Sequence, residues 1–313
     1  MRFLMMSVFA LNVLFASEIY FERLPTAFAP RVKCADNDNC TSEIVEIPSV
    51  QKGKISDLEI YIIPLGEFAP PVDKLIPKNR DDKAFIKQMS QNIPKNFQNV
   101  MLLRHKDFTA LIDTGFPHTA DILALQLMRL GITNITHLII THAHIDHIGG
   151  ILGDENAVFK LSTKDTTMLI DKNEYDFWLK SNNKQVKSAI LAFKDRVAFF
   201  DTKSDEQNLL DKLLGMGENS DLEVASIPAY GHTAGHTMIK IARGEQKLVF
   251  IADLFHAFDI QMLRPHIATK YDNNPSEAIK SRMEFLDTLQ SDSNTLIIGS
   301  HLPFVEPRIL AKE

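Results

Sequence analysis

An apolar run, Leu138 to Ile140, passes directly into THAHIDHIGG, Thr141 to Gly150. Three imidazoles and a carboxylate fall within six residues of each other there. A buried strand that ends in such donors restricts the fold. The sheet must fix the strand while the loop beyond it stays open. Alternate residues of an extended segment point the same way, so His142 and His144 can face one metal ion together. Asp146 and His147 fall where the chain turns and can face a second ion. Gly149 and Gly150 then permit a tight turn and close backbone approach.

One short motif cannot fill two metal shells, because catalytic zinc usually takes three protein ligands besides water. The missing donors must arrive from other strand ends. Three segments offer them: AYGHTAGHT with His232 and His236, LVFIAD with Asp253, and LIIGSH with His301. Each follows an apolar run, as the first motif does. His105, His118, His137 and His266 lack such a context and read as ordinary residues.

Between these motifs strand-like and helix-like segments alternate. LEIYIIPLG, VMLLRH and FTALIDTG read as strands. ADILALQLMRLGI has helical spacing and stops at Gly131. A helical middle region follows near Glu174 to Ala192, and another helix spans Ser276 to Leu289. The mixture implies a layered α/β architecture in one domain over residues 56–313. Residues 70–95 form a Pro- and Lys-rich insertion, long for a plain loop and suited to a lid, with DDKAFIKQM as a short helix inside it. Residues 17–55 lack a long periodic run and contain Pro25, Pro30 and Pro48, which predicts an irregular surface segment.

The formal charge of −6 argues against nucleic acid as the partner, since phosphate binding wants a basic patch. The start, MRFLMMSVFALNVLFASE, has the apolar stretch of a secretory leader and is too short for a comfortable membrane helix. We expect residues 1–16 to be a removed signal peptide, with no stable membrane insertion afterwards and a periplasmic or secreted location. Cys34 and Cys40, the two cysteines, would then form a disulfide.

Taken in order, LIDTG, THAHIDHIGG, GHTAGH, ADLFH and GSHLPF resemble the metallo-β-lactamase superfamily over roughly residues 55 to 310. The resemblance implies a four-layer αβ/βα sandwich with the metal site along one edge. It also implies that His142, His144 and His232 bind a first metal, that Asp146, His147 and His301 bind a second, and that Asp253 bridges them. Two zinc ions are the expected cofactors, with iron, manganese or cobalt open, and a metal-bridging hydroxide is the expected nucleophile. Asp113 would orient a ligand histidine, and His236 would support the site without ligating. The branch containing methyl parathion hydrolase and lactonase-like relatives is similar in DLFHAFDIQ and in NEYDFWLK. There His256 would assist catalysis beside Asp146 and Asp113. Phe177, Trp178, Phe255 and Phe258 have two readings, the wall of an apolar pocket and plain core, and core is the commoner role for aromatic residues so placed. The implied activity is hydrolysis of an ester, lactone or phosphotriester in a small molecule. A glyoxalase II-like thioesterase, a β-lactam hydrolase and an iron-dependent redox enzyme stay open, as does a homodimer.

Overall fold

The computed structural model describes residues 19–34, 40–153, 161, 163–200, 206–214, 221–292 and 294–310. In chain order its strands are β1 (Phe21–Leu24), β2 (Ala27–Cys34), β3 (Cys40–Ile47), β4 (Val50–Ile55), β5 (Leu58–Phe68), β6 (Leu75–Ile76), β7 (Asn96–Arg104), β8 (Thr109–Ile112) and β9 (His137–Ile140). They continue with β10 (Thr167–Asp171), β11 (Val197–Phe200), β12 (Gln207–Asn208), β13 (Leu222–Pro228), β14 (Thr237–Arg243), β15 (Gln246–Phe250), β16 (Ala268–Thr269), β17 (Leu296–Ile298) and β18 (Arg308–Ile309). The helices are α1 (Arg80–Met89), α2 (Ala120–Arg129), α3 (Ile145–Ile148), α4 (Lys172–Lys180), α5 (Lys184–Leu191), α6 (Leu210–Leu214), α7 (Phe258–Leu263) and α8 (Pro275–Ser291).

The run IYII in β5 shows why two sheets form. Ile60 and Ile62 join a core that also holds Val224, Ile239, Ile241 and Phe250 from β13 to β15. Tyr61 and Ile63 point the other way, into a core with Leu123 and Leu127 of α2 and Val186 and Ile190 of α5. A strand buried on both faces needs apolar residues at successive positions rather than in alternation. The result is an eight-stranded sheet, β1-β4-β5-β7-β8-β9-β10-β11, facing a six-stranded one, β12-β13-β14-β15-β17-β18. Phe285, Leu286 and Leu289 of α8 pack against the shared core from the second sheet's side. Helix, sheet, sheet and helix make four layers, the αβ/βα sandwich that the sequence resemblance implies. Among the described residues, no helix is long and apolar enough to cross a membrane.

One expectation is corrected. The segment read as irregular, residues 17–55, carries four strands. β1 pairs antiparallel with β4, Phe21 opposite Gly53, and β4 pairs with β5, so both extend the larger sheet. β2 and β3 form a separate ribbon with Cys34 opposite Cys40. The prolines misled because they sit where strands tolerate them. Pro25 and Pro48 lie between strands, and Pro30 lies in a ribbon of two edges, where a missing N–H costs no ladder bond on the open side. The leader, residues 1–16, and the two cysteine side chains lie outside the described residues.

The insertion at 70–95 is folded and docked. β6 pairs with β16, Ile76 opposite Ala268. Asn79 caps α1 by accepting from the Asp82 amide at 2.9 Å. Leu75, Phe85, Ile86 and Met89 pack with Ala257, Ile260 and Ile267 in a small core of their own. Asp82, buried in the first turn of α1, accepts from Arg264 at 2.8 Å and pairs with His266 at 3.0 Å.

Candidate metal centre

Every motif residue arrives at the same edge because each follows a strand of one sheet or the other. β9 delivers His142 to His147, the β13–β14 turn delivers His232, and the ends of β15 and β17 deliver Asp253 and His301. The two sheets are tied there by Thr237 N–H donating to the Thr141 carbonyl at 3.0 Å. Gly149 and Gly150 allow the β9 loop to press on the LIDTG loop. A Cβ on Gly150 would lie 2.2 Å from the Thr114 oxygen, and one on Gly149 would lie 2.3 Å from a Pro117 carbon. Asp113 and Ala252 hold φ of 60° and 45°, left-handed values that cost a non-glycine residue about 1–3 kcal/mol and cluster at functional sites.

Donor atoms of His142, His144 and His232 converge within 4.8 Å of one another, as do those of Asp146, His147, Asp253 and His301. His144 Nδ1 lies 3.0 Å from His232 Nε2. His301 Nε2 lies 2.9 Å from an Asp146 oxygen. Asp253 stands between the groups. One of its oxygens is 3.1 Å from His147 Nε2, while the other is 3.3 Å from His301 Nε2, 3.5 Å from His232 Nε2 and 3.7 Å from His142 Nε2. His142 Nε2, His147 Nε2 and Asp253 Oδ1 are buried without a hydrogen-bond partner. Buried polar atoms are rarely left so, and imidazole and carboxylate together form a donor set that suits zinc or iron. The residues therefore fit metal ions.

Electrostatics divides the two groups. Burial, reinforced by neighbouring imidazoles, holds His142 and His232 well below the usual histidine range, and burial brings His144 to about 4. The shift favours the neutral imidazole, the form that ligation requires. Burial opposes charge on His147 too, but the carboxylates of Asp253, Asp146 and Asp113 outweigh it and hold that histidine well above its usual range.

The supporting residues take the places their chemistry suggests. Asp113 accepts from Thr141 N–H at 2.9 Å and from its hydroxyl at 2.8 Å, and holds His147 Nδ1 at 2.8 Å. His236 pairs its Nδ1 with the Ala229 carbonyl at 2.9 Å and accepts the Asp253 amide at 3.1 Å, so it braces the bridging position rather than joining the donors. His256 enters the centre, its Nε2 3.3 Å from Asp253, and together with His232 and Asp253 forms a third convergent group. Trp178 stands edge-on to His144 at 5.7 Å. Of the two readings for Phe255 and Phe258 the structure bears out the core: Phe255 lies in the main core, Phe258 packs against it with the rings 5.5 Å apart, and Phe258 also meets Phe304.

Several residues escaped the sequence reading. Asp272 holds His232 Nδ1 at 3.0 Å and so fixes which nitrogen faces the centre. Asn96, Gln98 and Asn99 of β7 donate to the carbonyls of His256 at 2.8 Å, Asp146 at 2.9 Å and Gly299 at 3.1 Å, pinning three donor loops from one strand. Arg282 of α8, buried, donates to the carbonyls of Leu254, Pro265 and Ile267 and clamps the loop that carries His256. Phe68 stands edge-on to His301 at 5.0 Å, and Tyr271 faces His256 at 5.5 Å. The only available signal was the cluster of amides in NFQN. The other partners are distant in sequence and follow no local pattern.

The fold and the centre define the class. The chain belongs to the metallo-β-lactamase superfamily, whose family model matches residues 93–301. It is a metal-dependent hydrolase. Among solved structures it is similar to AidC, a dizinc quorum-quenching lactonase described with a bound product, at 26% identity over 82% of this chain and 91% of AidC, TM-score 0.65. The hydrolase AbOPH shares the fold at 21% identity over 82% of this chain and 91% of that one, TM-score 0.62. A quorum-quenching N-acyl homoserine lactone lactonase shares it at 18% identity over 77% and 91%, TM-score 0.52. No curated protein sequence matches the chain.

Proposed function

We propose that the protein hydrolyses a carboxylic ester or lactone with two metal ions, zinc in both places. The observation that carries this is the Asp253 carboxylate, within 3.1 to 3.7 Å of imidazole nitrogens from both donor groups. His142, His144 and His232 would hold one ion, and Asp146, His147 and His301 the other. When bound, such ions polarise a carbonyl and bring a water to nucleophilic strength near neutral pH. The chain's own residues do the rest. Asp113 and Asp272 keep His147 and His232 turned inward. His256, at the centre without being one of the seven expected ligands, donates a hydrogen bond to a substrate oxygen or to the departing alkoxide. Phe68, Trp178 and Tyr271, each against a different histidine of the centre, supply apolar walls for the acyl or ring portion. The likeness to AidC, a lactonase by its description, supports the lactone over the phosphotriester.

The deciding experiment is a panel of lactones, aryl esters, phosphotriesters and β-lactams on enzyme whose metal content has been measured. We expect the highest kcat/KM on a lactone or ester bearing an apolar group. Turnover confined to β-lactams or phosphotriesters overturns the proposal.

We propose further that the chain is exported, its leader cut after Ala16 and Cys34 joined to Cys40. The apolar start and the pairing of Cys34 opposite Cys40 in the β2–β3 ribbon support it. Intact mass of the exported protein, before and after reduction, checks both parts. A retained leader argues against export, and two free thiols argue against the bridge.

A further inference from the structure

Glu174 belongs to the first turn of α4, behind Asp171, whose side chain caps that helix. It is fully buried, and burial pushes its carboxyl above the usual range. A carboxylate in such a place costs several kcal/mol unless donors surround it. Here they do. Oε1 accepts from Ala143 N–H at 2.8 Å and from the Trp178 indole N–H at 2.6 Å, and Oε2 accepts from Gly235 N–H at 2.8 Å.

The identity of these donors matters more than their number. Ala143 is the residue between His142 and His144. Gly235 closes the loop that carries His232 and leads into His236. The two loops leave different sheets, β9 in one and β13 in the other. Trp178, the protein's single tryptophan, is the residue standing against His144. The approach is close: a Cβ on Gly235 would lie 2.6 Å from the Glu174 nitrogen and 2.5 Å from an Asp171 oxygen. One carboxylate thus grips both halves of the His142, His144 and His232 group.

We propose that Glu174 is a positioning residue for that group, setting the separation between the His142–His144 pair and His232 by holding both loops through backbone N–H bonds. The proposal rests on the two-metal reading above. A carboxylate suits the place because these three partners are N–H donors and the Thr233 hydroxyl, which also faces the carboxyl, can donate as well. In Glu174→Gln the shape stays, but the amide NH2 must face at least one of those donors. Loss of residues that orient metal ligands commonly costs about 10–100-fold in metal affinity.

The test measures zinc affinity by chelator competition on metal-free wild type, Glu174→Gln and Glu174→Ala, with folding checked by circular dichroism. We expect wild type to bind two ions, and both variants to bind one of them about 10–100-fold more weakly while the other keeps its affinity. Variants that fold and bind both ions as wild type does overturn the inference and leave the two-metal reading standing. A wild type that binds no zinc removes the two-metal reading, and this inference with it. If neither variant folds, amide exchange in wild type decides. Ala143 and Gly235 N–H should gain protection together when zinc is added, and exchange indifferent to zinc overturns the inference.

Discussion

Asp253 is buried and has five imidazoles within 3.7 Å of its oxygens. Burial alone would raise its carboxyl, but the facing histidines, His147 first, hold it well below the usual range. A carboxylate so placed is committed to a cationic partner. His256 is the least determined of the five. Its Nδ1 is buried without a hydrogen-bond partner, and its Nε2 reaches Asp253 from the side of Tyr271. If it serves the substrate, His256→Ala should keep two metals per chain and lower kcat/KM for esters or lactones about tenfold, which is roughly 1.4 kcal/mol of transition-state stabilisation. Metal analysis beside steady-state kinetics separates the outcomes. Loss of one ion would make His256 a ligand, and wild-type rates would leave it no part in catalysis.

At the scale of elements, one buried charge ties the insertion at 70–95 to the loop after α7, beside the strand pairing and the small apolar core that also hold it. Burial raises the Asp82 carboxyl, but Arg264 and His266 outweigh it and bring it to about 2, from an ordinary 3.8. A carboxyl whose folded value is lowered stabilises the fold above its unfolded value and loses that contribution as pH falls through the folded one. Asp82→Asn should therefore cost about 2 kcal/mol near neutral pH. The gap from wild type should narrow below about pH 4 and close towards pH 2. Urea unfolding of both chains, metal-free, across pH 6 to 3 checks this, and a gap that does not change with pH refutes it. The sequence disclosed the insertion and its helix but not the tether, because Arg264 and His266 are some 180 positions away. The same holds for β7. Its apolar half, Val100 to Leu103, was readable as a strand. Asn96, Gln98 and Asn99 were not, since they face carbonyls of other loops and so break the apolar pattern that marks a strand.

At the scale of the molecule, the donors were legible because each motif is local: an apolar strand, then a ligand, four times in order. The stacking of sheets was expected from the family resemblance alone, and its physical basis shows in β5, whose successive apolar residues need a core on either side. The β1–β4 extension stayed hidden because its strands are short and separated by prolines. This division of labour has a thermodynamic consequence. His142, His144, Asp146 and His147 follow a strand of the eight-stranded sheet, whereas His232, Asp253 and His301 follow strands of the six-stranded one. Ions held by both sets, as the two-metal proposal has it, would cross-link the two halves of the sandwich and bind only when the halves are docked. A ligand at a hundred times its dissociation constant stabilises the state that binds it by about 2.7 kcal/mol. In a chain of this size 1 kcal/mol moves Tm by about 1–2 °C. Removing the metals with a chelator should thus lower Tm by about 3–5 °C, and restoring zinc should return it. Calorimetry of the chelated and zinc-restored forms makes the comparison. Equal melting temperatures at full zinc occupancy would mean that the ions bind the unfolded chain as tightly as the folded one, and so do not depend on the docked halves.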